Sequence, residues 1–307
     1  MIHSLNKKAW ATCALLIVFT GLAVACDGFK LEPTAQNEDE RLIVFTSIYP
    51  LEYLAERIGG DAVTVHSLVP PGSEAHAYEP SPVDLQRLAK ADLLLLNGLG
   101  MEPWAQRALD ALGDAAPQTY VEQESGGTFP TNGDPHVWLD PDLSGAQAVM
   151  VTRALIRVDP DRVTEYTERG REVTTELNTL DEEFAAGLAS CAHQTFVSTH
   201  AAYGHLAARF GLEQLSVTGL SPEAEPAAQH LANLIDLMRE SGIEHLLAEP
   251  ALSDRYAQTI ARETGATILD IHPIGSVTPD ELADHGDYMG LMRANLASLK
   301  LALECTA

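Results

Sequence analysis

Apolar positions along the chain follow two alternating rhythms. Leu42-Ile43-Val44-Phe45 and Leu93-Leu94-Leu95-Leu96 are short continuous apolar runs, the pattern of parallel strands covered on both faces, and Val63 to Leu68 repeats the strand pattern. Between them the spacing predicts helices from about Leu51 to Ile58, Ser81 to Lys90 and Trp104 to Leu112. The second is the best marked. Ser81 suits its cap, Pro82 its first position and Asp84 its positive end. A short strand over Thr119–Val121, a polar loop over 123–133 and a helix over 143–158 complete a βα series, which predicts a doubly wound α/β lobe over 42–158.

From Pro160 the rhythm changes. Asp161 through Ala189 reads as one long helix on which Val173, Leu177, Leu180 and Phe184 recur at spacings of four, three and four, an apolar stripe on a charged helix. A coiled-coil dimer would show the same stripe. Because the α/β alternation restarts at once, a rigid linking helix over 159–189, lying against both lobes, is the preferred reading, and a monomer is expected. Strands over Thr195–Ser198, Gln214–Thr218, His245–Ala248 and Thr267–Leu269 alternate with helices over 202–210, 227–241 and 253–263, and an amphipathic helix over 287–303 closes a second lobe spanning 190–307. The expected fold is α/β: two doubly wound lobes joined by one long rigid helix. Ligands of such folds bind beyond the carboxyl ends of the strands, here in the cleft between the lobes.

Composition adds compartment and excludes some partners. The 307 residues, 46% of them apolar, suffice for two ordinary cores. Residues 1–25 have the form of an export signal: Lys7 and Lys8, an apolar run from Ala9 to Ala23, and Ala23-Val24-Ala25 ahead of Cys26. Cleavage there resembles a bacterial lipoprotein signal with Cys26 as the lipid carrier; Ala23 stands where leucine is usual, so plain secretion is the alternative. Residues 26–41 read as a flexible tether. Without the signal the chain carries 17 basic and 44 acidic residues, a net charge of -27, which repels nucleic acid and anionic lipid. Cys191 and Cys305 are then an even pair, either a disulfide in an oxidising compartment or two free thiols.

The candidate chemistry lies in four histidines, two per half. His136 is held between prolines in Asp134-Pro135-His136-Val137-Trp138-Leu139-Asp140-Pro141. His76, His200 and His272 each follow a predicted strand, so all four imidazoles fall on the same rim of the two sheets. A lone histidine at a strand end is more often structural; four at equivalent positions suggest ligands. Imidazoles suit Zn²⁺ in tetrahedral coordination, whereas manganese and calcium favour oxygen donors. Four protein donors leave no position for substrate, so capture rather than catalysis is expected. His66, His193, His230, His245 and His285 read as surface or packing residues. His205 lies five residues after His200 and shares no helical face with it. Glu249 reads as a loop organiser.

The same residues resemble the metal-specific solute-binding proteins of ABC transporters, the zinc and manganese receptor group. The likeness is carried by Gly72-x-x-x-His76-x-Tyr78-Glu79-Pro80-x-Pro82-x-Asp84, Ala91-Asp92-Leu93, Asn97-Gly98, the segment around His136, His200-x-Ala202-Tyr203-Gly204, Phe210-Gly211-Leu212, Pro222-Glu223-x-x-Pro226 and Ala248-Glu249-Pro250. It covers nearly the whole chain after Arg41. It implies extracytoplasmic capture of Zn²⁺ at the periplasmic or outer face of the membrane, with His76, His136 and His200 as metal ligands. The implied partners are an ABC permease subunit and, as an optional second, a periplasmic zinc chaperone. At the fourth position the family usually has Asp in an Asp-Pro-Leu-Gly-like segment, where this chain reads Ile271-His272-Pro273-Ile274-Gly275; His272 is therefore expected as fourth ligand, with Asp270 as alternative. The loop before His136 lacks the histidine-rich insertion common in zinc receptors. A manganese receptor, a secreted zinc hydrolase and an adhesin on the same fold are the rival readings.

Overall fold

A computed structural model describes residues 41–121, 129, 133–250 and 255–306; the signal segment, Cys26 and nearly all of the tether lie outside the described residues. The first three predicted strands become β1 (Leu42–Thr46), β2 (Val63–Ser67) and β3 (Leu93–Leu96), and with β4 (Gln118–Val121) they form a parallel sheet of order β2-β1-β3-β4. Helices α1 (Tyr49–Gly59), α2 (Pro82–Leu88), α3 (Ala105–Leu112) and α4 (Pro141–Val158) connect and cover it. β3 is four leucines, all buried, as a central strand faced on both sides requires. Helix α2 starts where its sequence signals place it, with a reciprocal cap between Ser81 and Asp84.

The second lobe repeats this plan. Strands β5 (Thr195–Ser198), β6 (Glu213–Ser216), β7 (His245–Ala248) and β8 (Thr267–Asp270) form a parallel sheet of order β6-β5-β7-β8. In both sheets the first strand is flanked by the second on one side and the third on the other, so the chain reverses direction across the sheet beside β1 and β5. Loops leaving the carboxyl ends at such a reversal diverge and leave a crevice. Helices α6 (Gly204–Arg209), α7 (Ala228–Ser241), α8 (Arg255–Thr264), α9 (Pro279–His285) and α10 (Tyr288–Ala302) complete the lobe. Helix α9 was not anticipated, although Thr278 and Glu281 cap each other across its first turn and Pro279 occupies its first position, the same signals that marked α2.

Helix α5 (Val163–Gly187) joins the lobes, and its stripe of Val173, Leu177, Leu180 and Phe184 is buried within the chain's own core. That core is one continuous cluster. It runs from Val44, Ile48 and Leu54 through Val151 and Leu155 of α4, across the α5 stripe, to Leu291, Met292 and Leu299 of α10. Two smaller clusters pack on the outer faces of the sheets. An apolar core shared by both lobes makes a wide hinge opening costly, since it would return that surface to water. Arg169 of α5 donates to the Gly59 carbonyl at 2.9 Å, and Arg293 of α10 pairs with Glu183 of α5 at 2.8 Å. Cys191 and Cys305 form a disulfide that fixes the C-terminal segment beside the end of the linking helix; of the two states the sequence left open, the bonded one is present.

Candidate metal centre

Each of the histidines 76, 136 and 200 is positioned by rigid local structure. After β2, a turn at Gly72, with φ of 74°, leads into a single 3₁₀ turn over Ala75–Ala77. The Glu74 carboxylate caps that turn by accepting from the His76 backbone N–H at 2.9 Å. His136 stands before a second 3₁₀ turn, Val137–Leu139, which runs directly into α4 through the Asp140 cap and Pro141. Asp134 accepts from both the His136 backbone N–H (3.0 Å) and its Nδ1 (2.7 Å), which fixes the ring and leaves the Nε2 lone pair outward. His200 follows β5; its carbonyl accepts from Ser198 Oγ at 2.7 Å and from Gln214 Nε2 at 2.8 Å, and its Nδ1 faces Glu249 Oε1 at 2.8 Å.

These three imidazoles converge. His76 Nε2 and His136 Nε2 are 3.0 Å apart, and the three ring centroids are separated by 5.0, 5.6 and 4.8 Å. One donor nitrogen from each ring lies within 4.8 Å of the others, the single such cluster among the described residues. Metal bonds of about 2.0–2.1 Å in a tetrahedron set donor atoms about 3.3 Å apart, so a small inward or outward adjustment accommodates zinc. His76 and His136 come from the first lobe and His200 from the second. The lobes are pinned together beside them, where Trp138 Nε1 donates to the Pro273 carbonyl at 2.7 Å.

Electrostatics divide the three. Burial, reinforced by repulsion from the other two rings, lowers the His76 pKa to about 3. Burial also lowers that of His136, outweighing the Asp134 carboxylate at its Nδ1. Both rings are therefore neutral donors. Burial works against charge on His200 as well, but the Glu249 carboxylate and the Leu220 carbonyl, 2.9 Å from its Nε2, prevail and raise its pKa. For Asp134, burial opposes the charge and the His136 hydrogen bond overcomes it, so the carboxyl lies below its usual range.

His272 is not brought into this cluster. Asn295 holds its backbone at both ends, accepting from the N–H at 2.8 Å and donating to the carbonyl at 2.7 Å. Its Nδ1 faces Glu281 at 3.4 Å and its ring packs 5.3 Å from that of His285. Asp270, the alternative, is exposed at the end of β8, paired in register with Ala248, and is likewise outside the cluster. Two residues that the sequence sets apart from the metal, Glu249 as a loop organiser and His205 as a residue off the His200 face, support the ligands. Glu249 is buried against His200, and His205 Nε2 sits 3.0 Å from the Asp134 carbonyl, beneath the carboxylate that orients His136. Only the spacing of Asp134 from His136 made a carboxylate partner legible; Glu249 is contributed from 49 residues away.

The family described as zinc-uptake complex component A, periplasmic, matches residues 44–302. The chain is 28% identical to the high-affinity zinc uptake system protein ZnuA of Bacillus subtilis over 314 residues, covering 96% of this chain and 98% of that one. It is 30% identical to the zinc-binding lipoprotein AdcA of Streptococcus pneumoniae, covering 91% of this chain and 59% of that protein. The crystal structure of the Zn(II)-bound ZnuA-like domain of AdcA superposes with a TM-score of 0.76 at 30% identity, covering 86% of this chain and 99% of the domain. The laminin-binding protein Lmb of Streptococcus agalactiae, described as having adhesin and metal-transporting activity, gives 0.77 at 30% identity, with 86% and 99% covered. These relatives are substrate-binding proteins, not enzymes.

Proposed function

The chain belongs to the family of periplasmic zinc-uptake component A proteins, and from that premise we propose that it captures Zn²⁺ outside the cytoplasm and delivers it to the membrane permease of an ABC transporter. The convergence of His76, His136 and His200 carries this reading. Three imidazoles, two neutral and each held by a carboxylate or a capped turn, form a borderline-soft nitrogen site; manganese would favour oxygen donors. In this reading these three are the protein ligands, and the fourth position belongs to solvent.

Three histidines with an open position also describe hydrolytic zinc centres. The surrounding carboxylates argue for capture. Asp134 and Glu249 each accept from a ligand ring, and Glu74 caps the His76 turn, so all three serve to orient donors. Titration of the mature chain with Zn²⁺ and Mn²⁺ tests the proposal. One tight equivalent of zinc that excess manganese fails to displace is expected; preferential retention of manganese would refute it.

A further inference from the structure

His136 belongs to a strip of the first lobe that the second lobe grips at both ends. At one end Trp138 Nε1 donates to the Pro273 carbonyl at 2.7 Å. At the other, Nε2 of His205, on α6, lies 3.0 Å from the Asp134 carbonyl and 3.6 Å from Asp134 Oδ2. A carbonyl can only accept, so Nε2 carries the hydrogen and donates. For the next carbonyl the first lobe supplies its own donor, since Asn97 Nδ2 reaches Pro135 at 2.9 Å.

We propose that His205 is a positioning residue for zinc capture: reaching across from the second lobe, it fixes the Asp134 carboxylate that aims His136, a ligand of the first. This rests on the capture reading above. Asp134 and His205 are both buried, so removing the donor leaves a buried carbonyl without its partner. The start of α6 also packs on the carboxylate itself, because a Cβ at Gly204 would come within 3.0 Å of Asp134 Oδ2. Held at its carbonyl and faced by the Gly204 backbone, Asp134 has little room to turn. Its Oδ1 therefore stays on the His136 backbone N–H and Nδ1.

Gln214 ties this grip to the ligand of the second lobe. Its Nε2 donates to the His200 carbonyl at 2.8 Å, and its Oε1 accepts at 3.0 Å from the N–H of Tyr203, the residue that opens α6. One side chain thus sets both His200 and the helix that carries His205. A continuous path of hydrogen bonds and backbone then runs from His200 through Gln214, α6 and Asp134 to His136. Parting of the lobes withdraws the His205 donor, frees the Asp134 carboxylate and loosens His136, which speeds release of the ion.

The test measures zinc affinity by chelator competition and zinc release by stopped flow on the mature chain, beside thermal unfolding of the metal-free protein. His205→Phe keeps a ring and removes the donor. It is expected to weaken affinity about tenfold, the low end for residues that support metal ligands, mainly through faster release. His205→Gln places an amide N–H at the same reach and is expected to restore the wild-type values. In an Asp134→Asn background His205→Phe is expected to cost less than in wild type, because it acts through that carboxylate. His205→Ala gives the same readings should the phenylalanine variant fail to fold. Wild-type affinity and release without the donor, even alongside lowered metal-free stability, would overturn the role of His205. So would a glutamine variant as impaired as phenylalanine, or additive losses in the Asp134→Asn background. Absence of tight zinc binding in the wild type would instead overturn the capture reading, and this proposal with it.

Discussion

His76 Nε2 and His136 Nε2 lie 3.0 Å apart although 60 residues separate them in sequence. With both rings neutral, one of these nitrogens donates to the other across that gap, a contact that a cation bound by both lone pairs replaces. Either histidine replaced by alanine is therefore expected to abolish tight zinc binding. Thermal unfolding with and without zinc checks this. At about a hundredfold excess over Kd the wild type should gain about 2.7 kcal/mol; each variant should gain none, and an undiminished gain would remove that residue from the ligand set.

Gly170 lies in the middle of α5, where a Cβ would meet Thr152 Oγ1 at 2.3 Å and its other side-chain carbons at 3.2–3.3 Å. Thr152 cannot simply turn aside, because its hydroxyl donates to the Ala148 carbonyl at 2.7 Å and the remaining atoms are also close. Gly170→Ala gains about 1 kcal/mol of helix propensity and costs about 1–3 kcal/mol in overpacking. We expect net destabilisation in the wild type and a reversal of sign when Thr152 is first changed to alanine. Chemical denaturation of the four proteins measures both; equal effects in the two backgrounds would mean that α4 and α5 do not approach as described.

The Cys191–Cys305 disulfide closes a segment of 114 residues. A cross-link of that span restricts the unfolded chain strongly, and removing such a bond costs about 2–5 kcal/mol. Reduction, or the double change to serine, should lower the denaturation midpoint accordingly without changing zinc stoichiometry, since His200, the one ligand inside the closed segment, is positioned by Ser198, Gln214 and Glu249 and not by the disulfide. Coincident unfolding curves with and without reductant would exclude the bond.

Much of this was legible before any coordinates. Continuous runs such as Leu93–Leu96 specify buried parallel strands, and the α5 stripe specifies a helix buried on one side, because both patterns are local. The same local logic marks α9 through Thr278, Pro279 and Glu281, but no residue of that helix is buried, so the apolar pattern gives no sign of it. The expectation for His272 and the place of its ring differ for a physical reason. Position past a strand end fixes where a backbone arrives, whereas the direction of its ring depends on Asn295, Glu281 and His285, residues 9 to 23 positions further on. The pairing of His200 with Glu249 was illegible for the same reason, since β5 and β7 become neighbours only in the folded sheet.

His200 determines how zinc affinity varies with pH. Burial works against its charge, but Glu249 at Nδ1 and the Leu220 carbonyl at Nε2 raise its pKa above the ordinary value of about 6.5. His76 and His136 are shifted downward and His200 upward, so of the three rings His200 keeps its proton to the highest pH, and that is the proton zinc must expel. The sign follows directly. In the metal-free protein the His200–Glu249 contribution to stability is fully present below about 6.5 and is lost as pH rises through the raised folded value. Zinc affinity runs the other way, falling about tenfold for each unit that pH drops below that value. Replacing Glu249 with glutamine removes the largest raising influence. Its affinity should be about 10–100-fold weaker at alkaline pH, where an orienting partner has been weakened, yet its acid-side decline should begin at lower pH. Calorimetry in two buffers of different ionisation enthalpy counts the protons released. Release approaching one per zinc in wild type at mildly acidic pH, and less in the variant at the same pH, is the expected pair of results; equal release in both would mean that Glu249 does not hold the proton on His200.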